Sequence, residues 1–194
     1  MADEYASLES RVRETITDLF SPLCSTCKDS CCHVDFCIAS LQSPWLTIIR
    51  EINNYPDRLY DREKGWLTAD GCRLGVGRPP FCYEFFCPPL LEGIKDPRKK
   101  YATSVLGMLM CHVGRVGLSW KHLVDIPTLE GIEEIDCGLY QNHILRAFKI
   151  LNACRLILKK DCPSQEHLRL MREVQIVPFY DFDSIAALHE EVRG

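Results

Sequence analysis

The chain has 194 residues, 46% hydrophobic and 26% charged, with a net charge of -4. That length suffices for one domain with a real core, and the mildly acidic balance argues against a general nucleic-acid binder, which would use a basic excess to neutralise phosphate. The opening MADEYASLES carries acids where a secretory leader needs a basic stretch and an apolar run, and His112, Arg115, Arg146, Lys149 and Arg155 interrupt the apolar stretches SVLGMLMCHV and ILRAFKILNACRLIL, so we expect a cytoplasmic protein with no membrane association.

In chain order, residues 4–20 predict an amphipathic helix, with Leu8, Val12, Ile16 and Leu19 or Phe20 on one stripe. Ser21-Pro22 should end it, because a residue before proline is pushed out of the helical region. The stretch CSTCKDSCCHVDFC follows at once. Residues 44–53, PWLTIIREIN, predict a short helix with proline in its first turn. Residues 55–89 are irregular and rich in glycine and proline, with Asp70-Gly71 as a turn or hairpin tip. A segment this poor in periodicity needs an organiser, and a bound metal can serve as one.

Beyond Asp96-Pro97 the pattern is helical. Residues 98–116 place Tyr101, Val105, Met108, His112 and Val116 on one face, and residues 139–160 place Ile144, Phe148, Leu151, Cys154 and Leu158 together. Two shorter helices are expected at 164–174, with Ser164 as N-cap, and at 183–192. DPRKK at 96–100 reads as a solvated helix start. The fold class is mainly α: one domain over 1–194, with a cysteine-rich, metal-centred region at 20–90 packed on a helical region at 91–194.

The cysteines carry the chemistry. Twelve are present, eight of them from Cys24 to Cys87, and a reducing compartment leaves metal binding, catalysis or burial as their explanations. Cys24 and Cys27 have the CxxC spacing that lets two thiolates meet one metal. Cys31 and Cys32 form a doublet, and Cys72, Cys82 and Cys87 add three thiols around the Arg78-Pro79 turn. Such a set suits Zn²⁺ or an iron–sulfur cluster such as [4Fe–4S], and suits Mg²⁺ or Ca²⁺ poorly.

Neighbouring side chains of an extended segment point to opposite sides. Either one cysteine of the doublet is a ligand and the other packs, or the doublet bridges two sites. Lys28, Arg73 and Arg78 are placed to offset the charge of a thiolate site, and Phe81, Tyr83, Phe85 and Phe86 either screen the sulfurs or form ordinary core. His33 is a nitrogen ligand or an exposed loop histidine, and Asp35, Tyr83 and Glu84 are the nearest groups for proton transfer. Cys111, Cys137, Cys154 and Cys162 read as core residues, and His112 as a core histidine.

CSTCKDSCC at 24–32 and CRLGVGRPPFCYEFFC at 72–87 resemble the two blocks of the CxxCxxCC family, YkgJ-like, described as a zinc- or iron-chelating domain; the resemblance covers roughly residues 20–90. It implies that Cys24, Cys27, Cys31, Cys32, Cys72, Cys82 and Cys87 hold the metal. Two departures stand out. Lys28, Asp29 and Ser30 separate the second cysteine from the doublet, where the family has two residues, and the family's further cysteine ahead of Leu67 is replaced by Lys64. Cys37 is a candidate stand-in for it. Members also include flagellin lysine methylases, which implies an alternative: an iron–sulfur enzyme using S-adenosylmethionine to methylate a protein lysine. No GxGxxG opens a helix after a strand, and VGRVG at 113–117 falls in a helical pattern, so a Rossmann-type cofactor site is not expected. A third reading is an interaction module with a structural zinc and a protein partner.

Overall fold

The computed structural model describes residues 1–24, 34–68, 71–84, 86–115 and 122–175, and of residues 21–24, 88 and 89 the backbone alone. The expected helix at 183–192 lies outside the described residues, as do Cys27, Cys31, Cys32, Lys28, His33, Phe85 and Val116.

The fold is mainly α. Helix α1 (Ala2–Cys24) opens with Asp3 and Glu4 in its first turn, where carboxylates suit the positive end of the helix dipole. Its inner stripe is Tyr5, Leu8 and Val12, all fully buried, which is the predicted face. It runs past Ser21-Pro22 to Cys24, because a proline removes one bond from the ladder and a long preceding helix can carry one more turn. Helix α2 (Val34–Gln42) was not expected from the sequence; it carries Cys37. Helix α3 (Pro44–Ile52) starts as predicted, with the Ser43 hydroxyl accepting from the Leu46 N–H and proline in the first turn.

The irregular stretch contains a 3-10 turn (Asp57–Leu59), the two-residue strands β1 (Leu67–Thr68) and β2 (Gly71–Cys72), and the short helices α4 (Phe81–Glu84) and α5 (Pro88–Gly93). The strands pair antiparallel, Leu67 opposite Cys72 and Thr68 opposite Gly71, and the expected tip residue Asp70 lies outside the described residues.

Helix α6 (Pro97–Gly114) begins where Asp96 accepts from the Arg98 N–H. Ala102, Val105, Leu106, Leu109, Met110 and Val113 are all fully buried. Of the predicted stripe, Val105 and Met108 are buried, while Tyr101 and His112 at its ends are half-buried. A helix apolar on most of its circumference belongs at the centre of a bundle, and α6 packs along α8 (Cys137–Leu158). Helix α7 (Leu129–Glu133) and α9 (Gln165–Met171) complete the described helices, and α9 has the expected Ser164 cap, reciprocated by His167. One main core joins α1, α3, α6, α8 and α9 through Leu8, Leu46, Leu106, Ile150 and Met171.

Among the four cysteines expected in the core, Cys111 and Cys154 are buried, but Cys137 and Cys162 are exposed. Cys137 is the first residue of α8, and Cys162 lies in the turn between α8 and α9. Both therefore fall at helix ends, where the chain faces solvent.

Candidate metal centre

Two cysteines of the second sequence block, Cys72 and Cys82, lie within electrostatic reach of Cys37 of α2. Cys37 is buried together with Trp66 and Leu74, and Cys72 packs against that cluster. Cys82 keeps an exposed surface, yet the protein around its sulfur pushes the thiol up to about 12. Burial is the main cause; the Arg78 charge pulls it back, and Cys72 and Cys37 raise it further. Cys37 is also raised by burial, against which a Trp66 backbone N–H directed at its sulfur favours the thiolate.

Arg78 is the cation among these thiols. Its Nε and Nη2 donate to the Leu74 carbonyl at 2.8 and 2.6 Å, and Nη2 also reaches the Cys72 carbonyl at 3.4 Å. Burial alone would lower its pKa, but the negative ends of Tyr83, Cys72, Cys82 and Glu9 hold it above the ordinary value. Arg78 therefore interacts with the Cys72 and Cys82 thiols from within the protein. Arg73 is exposed, with Nη1 donating to the Leu59 carbonyl at 3.3 Å.

A buried carboxyl fixes Arg78 in turn. Glu9 of α1 is fully buried and accepts from the Gly77 N–H at 2.7 Å, the Arg78 N–H at 2.9 Å and the Tyr83 hydroxyl at 2.8 Å. Burial pushes it up to about 7 despite these donors. Gly77 has φ +78, and a Cβ there would stand 2.5 Å from Arg50 Cγ, so the turn presenting Arg78 requires glycine.

A second buried network fixes Cys37. The fully buried Arg50 guanidinium donates to the Ser40 carbonyl, to Thr47 Oγ1 at 3.1 Å and to Asp57 Oδ1 at 2.7 Å, and lies 5.6 Å from the Trp66 ring centre. The Trp66 indole N–H donates to Ser40 Oγ at 2.7 Å, and that hydroxyl donates to the Cys37 carbonyl at 2.8 Å. Neither Glu9 nor Arg50 was singled out from the sequence. The available signal was a charged residue on an apolar helix stripe: Glu9 between Tyr5 and Val12, Arg50 after Leu46 and Ile49.

The remaining predicted ligands divide. Cys87 packs against the Phe20, Phe86 and Leu90 cluster; Cys24 ends α1, and Cys27, Cys31 and Cys32 lie outside the described residues. Among the described residues, no three His, Cys, Asp or Glu side chains stand close enough to close around an ion. Of the aromatic residues near the block, Phe81 packs edge-on against Phe36 and Phe86 packs at a tilt against Phe20, with ring centres 5.1 and 5.2 Å apart.

On the other side of α4 is a cavity of about 780 Å³, lined by Phe81, Glu84, Met108, Cys111, His112 and His122 among others. The Cys111 thiol donates to the Glu84 carboxylate, and burial raises both pKa values, Cys111 to about 12. Burial, reinforced by neighbouring His143, lowers His112 to about 4. His143 Nε2 donates to the His112 carbonyl at 3.2 Å, and the two rings lie 4.8 Å apart. The imidazoles here are therefore neutral at physiological pH, and the thiol is not a nucleophile.

No helix of the described residues is long and apolar enough to cross a membrane. No family model, curated protein or solved structure matches this chain.

Proposed function

We propose that this chain is a metal-binding protein, working in a reducing compartment such as the cytoplasm, that holds Zn²⁺ or an iron–sulfur cluster through cysteines of its two sequence blocks. The observation that carries the reading is the Arg78 guanidinium, which donates to the Leu74 and Cys72 carbonyls within electrostatic reach of the Cys72 and Cys82 thiols, on a turn whose main chain is held by buried Glu9. Thiols gathered at a fixed cation form a donor set of the soft type, with part of the charge of a thiolate site already offset. Cys24, Cys27, Cys31, Cys32 and Cys87 are the further ligands the sequence offers, and the CxxCxxCC resemblance points the same way.

A second reading, an iron–sulfur enzyme acting on a protein lysine, is favoured by one observation. The cavity beside Phe81 and Glu84 borders the same four-residue helix that carries Cys82, so a metal held by Cys82 would sit on a helix that lines a substrate-sized space. A structural zinc serving a protein partner would leave that cavity without a role.

The test is anaerobic purification of the full chain followed by metal and acid-labile sulfide analysis with visible absorption. Colourless protein with zinc and no sulfide assigns zinc; brown protein with iron and sulfide assigns the cluster. Cys72→Ser and Cys82→Ser should each lower metal content, while Cys154→Ser, in the core, should leave it intact. Protein that takes up neither zinc nor a cluster overturns the reading.

A further inference from the structure

We propose that the cleft over the outward face of α1 binds a phosphate-type oxyanion, free or as the phosphate group of a small ester, through the guanidinium groups of Arg11, Arg13 and Arg155. No described cysteine lines this cleft, and the inference is independent of the metal-binding reading above.

The cleft has a volume of about 730 Å³, within the range of about 300–1,000 Å³ usual for small-molecule sites. Helix α1 turns Tyr5, Leu8 and Val12 into the core, so Arg11 and Arg13 stand on either flank of its opposite, solvent-facing stripe. The Arg11 guanidinium lies 5.5 Å from the Phe148 ring centre on α8, and Arg155 follows Phe148 by two turns on the same face of that helix. These arginines are not engaged elsewhere. The ion pairs among the described residues use Arg50, Arg98, Arg146, Lys149 and the N-terminus, and none of the three donates a side-chain hydrogen bond to a described residue. Two carboxylates share the cleft: Glu14 accepts from the Ser10 hydroxyl at 3.4 Å, and Asp3 lies in the first turn of α1. Three guanidinium groups against two carboxylates leave the cleft net cationic, in a chain whose net charge is -4. A guanidinium fork pairs two N–H groups with two phosphate oxygens, which makes such an oxyanion its natural complement.

A neutral donor joins them. Tyr55 lines the cleft, and its ring packs against both the main core and the Trp66 cluster, which fixes where its hydroxyl stands. That hydroxyl rests over Gly75, where a Cβ would collide with it. No described group accepts its proton, so the O–H is free to donate to an oxyanion. Glycine at position 75 thus keeps open the place that the phenol occupies.

The experiment titrates the full chain, with ¹⁵N-labelled arginine, at fixed ionic strength. Inorganic phosphate is added in one series and glycerol 3-phosphate in another, and the arginine side-chain Nε–Hε resonances are followed. Saturable shifts at Arg11, Arg13 and Arg155 are the expected result. Tighter binding of the ester would assign a small phosphorylated metabolite to the cleft, and tighter binding of the free ion would assign phosphate itself. Arg13→Gln and Arg155→Gln should each weaken binding roughly tenfold, with melting temperatures close to that of the parent chain. Gly75→Ala, which displaces the Tyr55 hydroxyl, should weaken it about fivefold, as loss of one neutral hydrogen bond does. Shifts that never saturate, or that grow in parallel at Arg73, Arg98 and Arg169, are ionic screening and overturn the proposal. Unchanged affinity in either folded arginine variant is equally decisive against it.

Discussion

Replacing Glu9 with Gln tests the keystone of the centre. Burial pushes the Glu9 carboxyl up to about 7 in the folded chain, from an ordinary value of 4.5. The folded state therefore holds the proton more tightly than the unfolded state between those two values. Stability contributed by this group is full below about pH 4.5 and falls as pH rises toward 7. At about 1.36 kcal/mol per unit, the whole window amounts to about 3 kcal/mol, and a titration from pH 5 to pH 8 captures about 2.5 kcal/mol of it. The buried histidines work in the opposite sense. His112, His122 and His143 are all lowered, principally by burial, so they favour folding as pH rises through the acid range. The total profile is a sum of opposing slopes, and the difference between parent and variant isolates Glu9. Urea unfolding across this range should show the parent chain losing about 2.5 kcal/mol relative to Glu9→Gln between pH 5 and pH 8. The glutamine also turns an NH₂ group toward donors at Gly77, Arg78 or Tyr83, which costs about 1–3 kcal/mol at every pH and leaves the slope untouched. Parallel profiles for the two proteins would refute the argument.

Gly77→Ala must place a methyl 2.5 Å from Arg50 Cγ and 3.3 Å from the Leu46 carbonyl at φ +78, so a loss of about 1–3 kcal/mol is expected in chemical denaturation. Arg50→Met and Arg50→Lys should both destabilise by a similar amount, because neither supplies the planar fork shared among Ser40, Thr47 and Asp57; recovery by lysine in the same assay would refute the fork's role. Cys154 is fully buried, so Cys154→Ser should lower the urea midpoint by about 1–3 kcal/mol equivalent through its buried hydroxyl, without altering metal content.

The helices were legible where local chemistry and periodicity agreed. Ser43-Pro44, Asp96-Pro97 and Ser164 announced their helix starts, and Leu8 and Val12 announced the inner stripe of α1. The α6 stripe caught Val105 and Met108 but only part of the buried surface, because a helix buried on most sides has no single stripe to find, and α2 was hidden within a cysteine-dense segment that reads as loop. In the candidate centre, Cys72, Cys82 and Arg78 were visible from spacing. Glu9 was not, since it acts from more than sixty residues away, on Gly77, Arg78 and Tyr83. Long-range polar contacts leave no periodic trace in sequence, and a charged residue on an apolar stripe is their faintest sign.

The poverty of regular structure between Tyr55 and Pro89 made a metal seem necessary to organise it. The described structure offers another organiser: the Glu9 carboxyl holds the Gly77-Arg78 turn, Arg50 and Ser40 hold Trp66, and Tyr83 and Phe86 bury their rings. Glu9 and the Arg50 guanidinium each have three hydrogen-bond partners, and buried polar networks of this kind favour a single arrangement. Metal binding would then add stability by mass action to a centre already assembled, without creating the fold. Chelation of the purified full chain should accordingly leave its far-ultraviolet circular dichroism close to that of the loaded protein and lower the melting temperature. Loss of most of the helical signal on chelation would show that the polar networks cannot hold this half of the chain alone, and would return the organising role to the metal.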